Sequence, residues 1–123
     1  MYVVQEGRHL MVSTHPCDRL PPPANIPIAC GVWQQEEEEE EHARTFTLQA
    51  LSVPTHLRGR GIGSRLLSHI AAECHARGGQ CMELDDMSDR CRRQDNIYVK
   101  HGFRYRHASG PEMYASPRHV RNA

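Results

Sequence analysis

Residues 53–67, VPTHLRGRGIGSRLL, decide the fold of this chain. They follow residues 45–53, TFTLQALSV, which are rich in β-branched and apolar side chains and predict a strand that stops at Pro54. Beyond them, apolar residues recur at helical spacing until Gly78 and Gly79, which predicts a helix with one buried stripe. The stripe comprises Ile62, Leu66, Leu67, Ile70, Ala71 and Cys74. A strand, a glycine-rich loop and an amphipathic helix therefore follow one another.

The loop has the chemistry of an anion site. Gly59, Gly61 and Gly63 allow a ligand to approach the backbone, and the unpaired N–H groups and dipole of the helix start favour negative charge. Three arginines surround the loop: Arg58, Arg60 and Arg65. A pyrophosphate suits such a site. A dinucleotide fingerprint is excluded by Ser64, and a P-loop by the lack of a lysine. The alternative is a turn that merely allows a strand and a helix to pack closely.

Two motifs in order make the chain resemble the GNAT acetyltransferase superfamily. Arg58-x-x-Gly61-x-Gly63 matches the Arg/Gln-x-x-Gly-x-Gly/Ala signature of that family, at the same place between a strand and a helix. About forty residues later, residues 96–103, NIYVKHGF, match its Tyr-x-x-x-Gly-Phe element through Tyr98, Gly102 and Phe103. The resemblance covers residues 28–115.

The resemblance implies a coenzyme, a reaction and a set of site residues. It implies that acetyl-CoA is bound as co-substrate, with no metal, and that acetyl passes to a primary amine by direct attack. The pantetheine arm would lie along Leu51, Ser52 and Val53. Tyr98 would protonate the leaving thiolate, the alternative being a core tyrosine with a satisfied hydroxyl. The pyrophosphate would be held by Arg58, Gly59, Arg60, Gly61, Ile62, Gly63 and Ser64.

The implied fold class is α+β, a mixed and mostly antiparallel sheet flanked by helices, with a shortened N-terminal part. Short strands are predicted for residues 2–4 and 10–12 around Gly7, for 28–35, 80–84, 103–107 and 112–115, and a second helix up to His101. We divide the chain into a proline-rich segment, 1–27, an acetyltransferase domain, 28–115, and a frayed tail, 116–123. The prolines at 21–23 suit a stiff connector or a peptide-recognition ligand.

Two departures from the family affect the acceptor side. The 27 residues before the domain leave no room for the usual first strand and pair of helices, which shape the acceptor site. Residues 45–53 also lack the glutamate that many relatives carry there; Gln49 is the only polar residue with an amide. The candidate bases are Glu41, Asp85 and Asp86. The alternative function is a coenzyme A-binding module or sensor without turnover.

Composition excludes several classes of protein. The 123 residues suffice for one domain, and fifteen basic residues balance fifteen acidic ones, which does not favour direct nucleic-acid binding. No apolar run approaches a membrane span, and no secretory signal is visible. The five cysteines, an odd number without Cys-x-x-Cys, favour free thiols in the cytoplasm, or the nucleus of a eukaryote. The histidines lack metal-site spacing. A homodimer stays open, because the short N-terminal part would expose sheet.

Residues 36–41 are six consecutive glutamates, which predict a solvated turn between two strands. The alternative is a field that attracts cationic acceptors, such as a polyamine or a basic peptide.

Overall fold

A single seven-stranded sheet organises the fold. The computed structural model describes residues 1–16, 26–34 and 44–121, so the glutamate run, Glu41, the prolines at 21–23 and Cys17 lie outside the described residues. The strands are β1 (Tyr2–Glu6), β2 (His9–Ser13), β3 (Ile28–Trp33), β4 (Arg44–Ser52), β5 (Gly79–Asp85), β6 (Arg104–Tyr105) and β7 (Glu112–Ala115). The helices are α1 (Ile62–Ala76), α2 (Ile97–Lys100) and α3 (Pro117–Arg121), with a short 3-10 turn at Thr55–Leu57.

The sheet is mixed and mostly antiparallel, as the resemblance implies. Its strand order is β1-β2-β3-β4-β5-β7-β6, and β4 with β5 is the one parallel pair among the described strands. The crossover between these two strands is α1, because parallel neighbours need a long connection. The glycine-rich loop therefore lies between β4 and α1, at the centre of the sheet.

The apolar stripe of α1 forms the core with one face of the sheet. Leu66, Leu67, Ile70, Ala71 and Cys74 are buried and contact the same cluster as Phe46 of β4, Met82 of β5 and Met113 of β7. Burial of such side chains contributes about 1.5–3 kcal/mol each, so this interface dominates the stability of the fold. The helix ends where Gly78 adopts a φ of 81°, as predicted from the two glycines.

The N-terminal hairpin belongs to the same sheet, which therefore extends beyond residues 28–115. The strands predicted at residues 2–4 and 10–12 are confirmed, whereas the expectation that no first strand fits before residue 28 is wrong: β1 pairs with β2, and β2 pairs with β3. Only Gly7 and Arg8 separate β1 from β2, with Gly7 at a φ of 58° that suits a tight turn. Within residues 1–16 and 26–34 there is no helix.

The expected frayed tail is also wrong, for residues 117–121. Pro117 begins α3, and the carbonyl oxygen of Ser116 accepts hydrogen bonds from the N–H groups of His119 and Val120. Val120 is fully buried in the core, and α3 packs on α1 and β5. The local sequence does indicate a helix start here, because Pro117 occupies the first helical position after Ser116. The predicted strand at 103–107 is shorter, because only Arg104 and Tyr105 pair with β7.

Candidate active site

The parallel strands β4 and β5 separate part-way along their length. Their register pairs run from Arg44 with Gly79 to Thr47 with Glu83 and then stop, although β4 continues to Ser52. Main-chain groups on this side of β4 beyond Thr47 therefore have no strand partner among the described residues. An extended ligand can pair with them as an added strand would.

A β-bulge in β4 coincides with the separation. Leu48 is the register partner of Gly31 and Ala50 that of Cys30, so Gln49 is an extra residue without a partner in β3. A bulge bends its strand and increases the local twist, which accounts for the divergence of β4 from β5. No feature of the sequence around Gln49 indicated the bulge, because it depends on pairing with β3.

The three glycines of the loop have two different roles. Gly59 and Gly61 have φ values of 81° and 75°, and a Cβ atom added to either would meet nothing within 4 Å. Their backbone therefore faces open space in a conformation that glycine favours. A Cβ on Gly63 would lie 3.2 Å from Cδ1 of Ile97 and 3.7 Å from Cγ2 of Val53, so Gly63 allows close packing. The packing explanation therefore applies to Gly63, whereas Gly59 and Gly61 leave the backbone open to a ligand.

The start of α1 has no side-chain cap. Gly61 is the N-cap and offers no side chain, and the first intrahelical hydrogen bond runs from the N–H of Arg65 to the carbonyl of Gly61, at 3.1 Å. The N–H groups of the first turn therefore point out of the helix. Arg58 donates its Nε to the carbonyl oxygen of Val53, at 3.0 Å, which leaves its other guanidinium nitrogens available to a ligand.

A cavity of about 650 Å³ lies against the loop. This larger cavity has the volume of a typical ligand site. Its far wall is the segment between β5 and α2, which contributes Met87, Ser88 and Arg90. Of the residues predicted to hold the coenzyme, Arg60 does not line it, and neither does Arg65, the third arginine next to the loop. The predicted site residues that do line it are Leu51, Ser52, Val53, Arg58, Gly59, Gly61, Ile62, Gly63, Ser64 and Tyr98.

A smaller cavity of about 300 Å³ lies in the gap between β4 and β5. Gln49, Asp85 and Met87 are among the residues that line it. Tyr98 lines both this cavity and the larger one, so its side chain stands where the two meet. Met87 also lines both, and its side chain is 84% exposed.

Tyr98 is held as a neutral phenol. Its ring packs edge-on against Phe103, with 5.9 Å between the centroids. Burial, and then the negative charge of Asp86, raise the pKa of Tyr98 to about 12. Its phenol oxygen has no hydrogen-bond partner among the described residues. Every buried side-chain oxygen or nitrogen in those residues has a partner, so the phenol oxygen is not itself fully buried. The hydroxyl therefore keeps its proton at neutral pH and is accessible to a ligand.

The candidate bases differ in their environments. Asp86 is 2% exposed and accepts hydrogen bonds from Ser88, Asn96 and Tyr105. Burial raises the pKa of Asp86, but these hydrogen bonds outweigh it and hold the pKa below its usual value. Asp86 is therefore a poor base. Asp85 is exposed and lines the smaller cavity.

A buried histidine connects the start of α1 to the end of the chain. His101 is 5% exposed; its Nε2 lies 3.0 Å from Oγ of Ser64, and its Nδ1 lies 3.2 Å from the carbonyl oxygen of Val120. Because a carbonyl only accepts, Nδ1 carries a proton, and in the neutral ring the Ser64 hydroxyl donates to Nε2. The sequence pattern predicts His101 only as the end of the second helix and gives no sign of its contact with Ser64.

Three further observations concern metal binding, membrane spans and cysteine pairing. In the described ranges, no group of three or more His, Cys, Asp or Glu side chains could hold a metal ion. No helix in those same ranges has the length and apolar character needed to span a membrane. The four cysteines in the described part of the chain are free thiols: Cys30, Cys74, Cys81 and Cys91.

Comparison with known proteins agrees with the two motifs. The family model described as "Acetyltransferase (GNAT) domain" matches residues 24–105. No curated protein matches the chain in sequence.

Solved structures share the fold at low sequence identity. A putative GNAT acetyltransferase from Desulfovibrio desulfuricans is 16% identical, with a TM-score of 0.61 over 89% of this chain and 69% of its own. An aminoglycoside 6'-N-acetyltransferase complexed with coenzyme A is 17% identical, with a TM-score of 0.61 over 89% of this chain and 73% of its own. The KacTA–DNA complex is 13% identical, with a TM-score of 0.62 over 96% of this chain and 74% of its own. These structures show the shared fold, and the family model's match over residues 24–105 shows that the chain belongs to the GNAT acetyltransferase family.

Proposed function

We propose that the chain is an N-acetyltransferase that moves acetyl from acetyl-CoA to a primary amine by direct attack. The observation that supports this most is the position of Tyr98, a neutral phenol at the junction of the two cavities. The larger cavity would hold the coenzyme, with its pyrophosphate at the glycine loop, and the smaller cavity would admit the amine. A solved relative complexed with coenzyme A supports the choice of coenzyme.

The described residues fit the coenzyme. The open backbone at Gly59 and Gly61 and the free N–H groups of α1 suit a pyrophosphate. Arg58, which lines the larger cavity, adds positive charge there. The unpaired edge of β4 at Leu51 and Ser52 suits the amide groups of a pantetheine arm.

In the proposed reaction, the amine nitrogen attacks the thioester carbonyl carbon, a C–N bond forms and the C–S bond breaks. A main-chain N–H of the divergent part of β4 would polarise the carbonyl, and Tyr98 would donate its hydrogen to the leaving sulfur. An ordinary thiol has a pKa of about 8.5, below the value of about 12 for Tyr98, so the phenol acts chiefly as a hydrogen-bond donor. The coenzyme would leave as a thiolate that this hydrogen bond stabilises and that takes its proton from water, while the amine loses one proton. Asp85 is the candidate to accept the amine proton, through water.

The test is release of free thiol from acetyl-CoA in the presence of amines. A panel of spermidine, a neutral small amine, an aminoglycoside and a basic peptide covers the acceptor classes that the sequence leaves open. We expect at least one amine to accelerate thiol release above the rate without amine. Coenzyme binding by calorimetry without acceleration by any amine would instead support a coenzyme-binding module, the function favoured by the lack of a carboxylate in residues 45–53.

A further inference from the structure

Four polar side chains form a hydrogen-bonded network between the end of β5 and the start of α2, with Asp86 and Asn96 buried, Tyr105 half-buried and Ser88 exposed. Asp86 follows β5 directly, and Asn96 is the N-cap of α2, with 2% and 1% of their surfaces exposed. Ser88 lies in the connecting segment, and Tyr105 comes from β6. We call these four residues the Asp86 network.

Asp86 is the centre of the network. Its Oδ2 accepts the phenol of Tyr105 at 2.6 Å and Nδ2 of Asn96 at 2.9 Å. Its Oδ1 accepts the hydroxyl of Ser88 at 2.5 Å and the N–H of Ser88 at 3.1 Å. The main-chain N–H of Asp86 donates to the carbonyl of Pro111, at 2.8 Å. The carboxylate is therefore fixed from several directions and has little freedom to move.

Asn96 transmits that position to Tyr98. Its amide nitrogen is held by Asp86 and by the carbonyl of Arg90, at 3.0 Å. Its Oδ1 accepts the main-chain N–H of Tyr98 at 2.7 Å and that of Val99 at 3.4 Å. An unbroken chain of hydrogen bonds thus runs from Asp86 through the Asn96 side chain to the backbone of Tyr98.

The helix that carries Tyr98 cannot fix its own position. α2 has only four residues, and isolated helices of fewer than about 12 residues are marginal in water. Its placement relative to β5, which borders the smaller cavity, must come from tertiary contacts. The Asp86 network is a polar link between β5 and α2, and hydrogen bonds have the directional geometry that placement requires.

We propose that Asn96, oriented by Asp86, is a positioning residue that holds the Tyr98 phenol at the junction of the two cavities. The inference rests on the proposed function, because it concerns the geometry of Tyr98 in acetyl transfer. The negative charge of Asp86 has a second effect, which does not depend on substrate. After burial, it is the next cause that raises the pKa of Tyr98.

The substitutions Asn96→Ser and Asp86→Asn separate positioning from simple helix capping. Serine is as good an N-cap as asparagine, so Asn96→Ser retains the cap but loses the link to Asp86. Asp86→Asn keeps the shape and removes the charge. Each change is made in the parent and in a Tyr98→Phe background, and kcat and coenzyme affinity are measured in each. Tyr114→Phe is the matched control for removal of a phenol, because Tyr114 lies on β7 and lines neither cavity.

In the parent background we expect each substitution to lower kcat about 10-fold or more, since misplacement by about 1 Å costs up to about 10²-fold. Coenzyme affinity should fall much less than kcat, because Asn96 lines the larger cavity but is only 1% exposed. In the Tyr98→Phe background the same substitutions should change kcat by less than about 2-fold, because the phenol that they position is gone. Equal losses of kcat in both backgrounds, or unchanged kcat in the parent, would overturn the proposal.

A spectroscopic measurement keeps the test independent of turnover. Titration of Tyr98 by NMR with ring-labelled tyrosine, without substrates, should show a lower pKa in Asp86→Asn than in the parent. An unchanged pKa, with circular dichroism showing a folded variant, would count against the Asp86 link. Failure of the proposed function has a different signature: Tyr98→Phe alone would then turn over at the full rate, or no amine would release thiol, while the NMR shift would still appear.

Discussion

The pair Gly61→Asn and Gly61→Asp tests where the pyrophosphate binds. Gly61 has a φ of 75° and a ψ of 11°, in the left-handed region, and an added Cβ would meet nothing within 4 Å. Asparagine and aspartate tolerate this region better than other side chains, at a cost below the usual 1–2 kcal/mol or so. The two variants are nearly identical in shape, so their difference in coenzyme affinity measures the added negative charge alone.

The magnitude follows from Coulomb's law. A carboxylate about 6 Å from one phosphate charge repels it by about 0.7 kcal/mol at the dielectric constant of water, and about 2.8 kcal/mol at an effective value of 20. Gly61→Asp should therefore bind coenzyme A about 3- to 100-fold more weakly than Gly61→Asn, and the ratio should shrink as salt is raised. Calorimetry at two salt concentrations measures both, and thermal unfolding checks that the variants are equally stable. Equal affinities at low salt would place the pyrophosphate elsewhere.

Three further predictions concern other parts of the site and the core. Tyr98→Phe should lower kcat about 10²-fold with coenzyme affinity unchanged. Because the pKa of the Tyr98 phenol is about 12, a thiol-release assay on the parent should show no loss of rate from ionisation of that phenol below about pH 10. Ser64→Ala should lower the free energy of unfolding by about 1–3 kcal/mol in urea, since Nε2 of buried His101 loses its donor; an unchanged midpoint would show that water replaces the hydroxyl. Gly31→Ala should cost about 3 kcal/mol or more by the same measurement, because its Cβ would meet the carbonyl oxygen of Thr47 and the ring of Phe46, and a loss below about 1 kcal/mol would contradict this packing.

The elements that carry local signals could be predicted from the sequence. β4 follows from its β-branched run, and α1 from its apolar spacing and the two glycines after it. The glycine loop and Tyr98 were found through motifs, and the structure places them around one cavity. Their roles in binding and catalysis stay predictions.

The features that were missed depend on contacts between distant residues. The bulge at Gln49 exists only in the register between β3 and β4. Asn96 is linked to Asp86 across ten residues and to Tyr105 through that carboxylate, and nothing in the local sequence specifies this. α3 is a different case, because Ser116 and Pro117 are a local signal that was overlooked in a segment assumed to be frayed.

The turn between β1 and β2 has a consequence for protein engineering. Gly7 is exposed, has open space around it, and joins two strands whose pairing continues directly into the central sheet. Exposed turn tips of this kind tolerate inserted segments, because the inserted chain disturbs few buried contacts. The register runs from Glu6 and His9 through Val32 to Thr47, so this turn lies at the end of the sheet opposite the glycine loop, and a segment inserted between residues 7 and 8 would leave the loop and Tyr98 unaltered. A fluorescent or affinity module joined at this turn would therefore report on the protein while both cavities stay open to ligands.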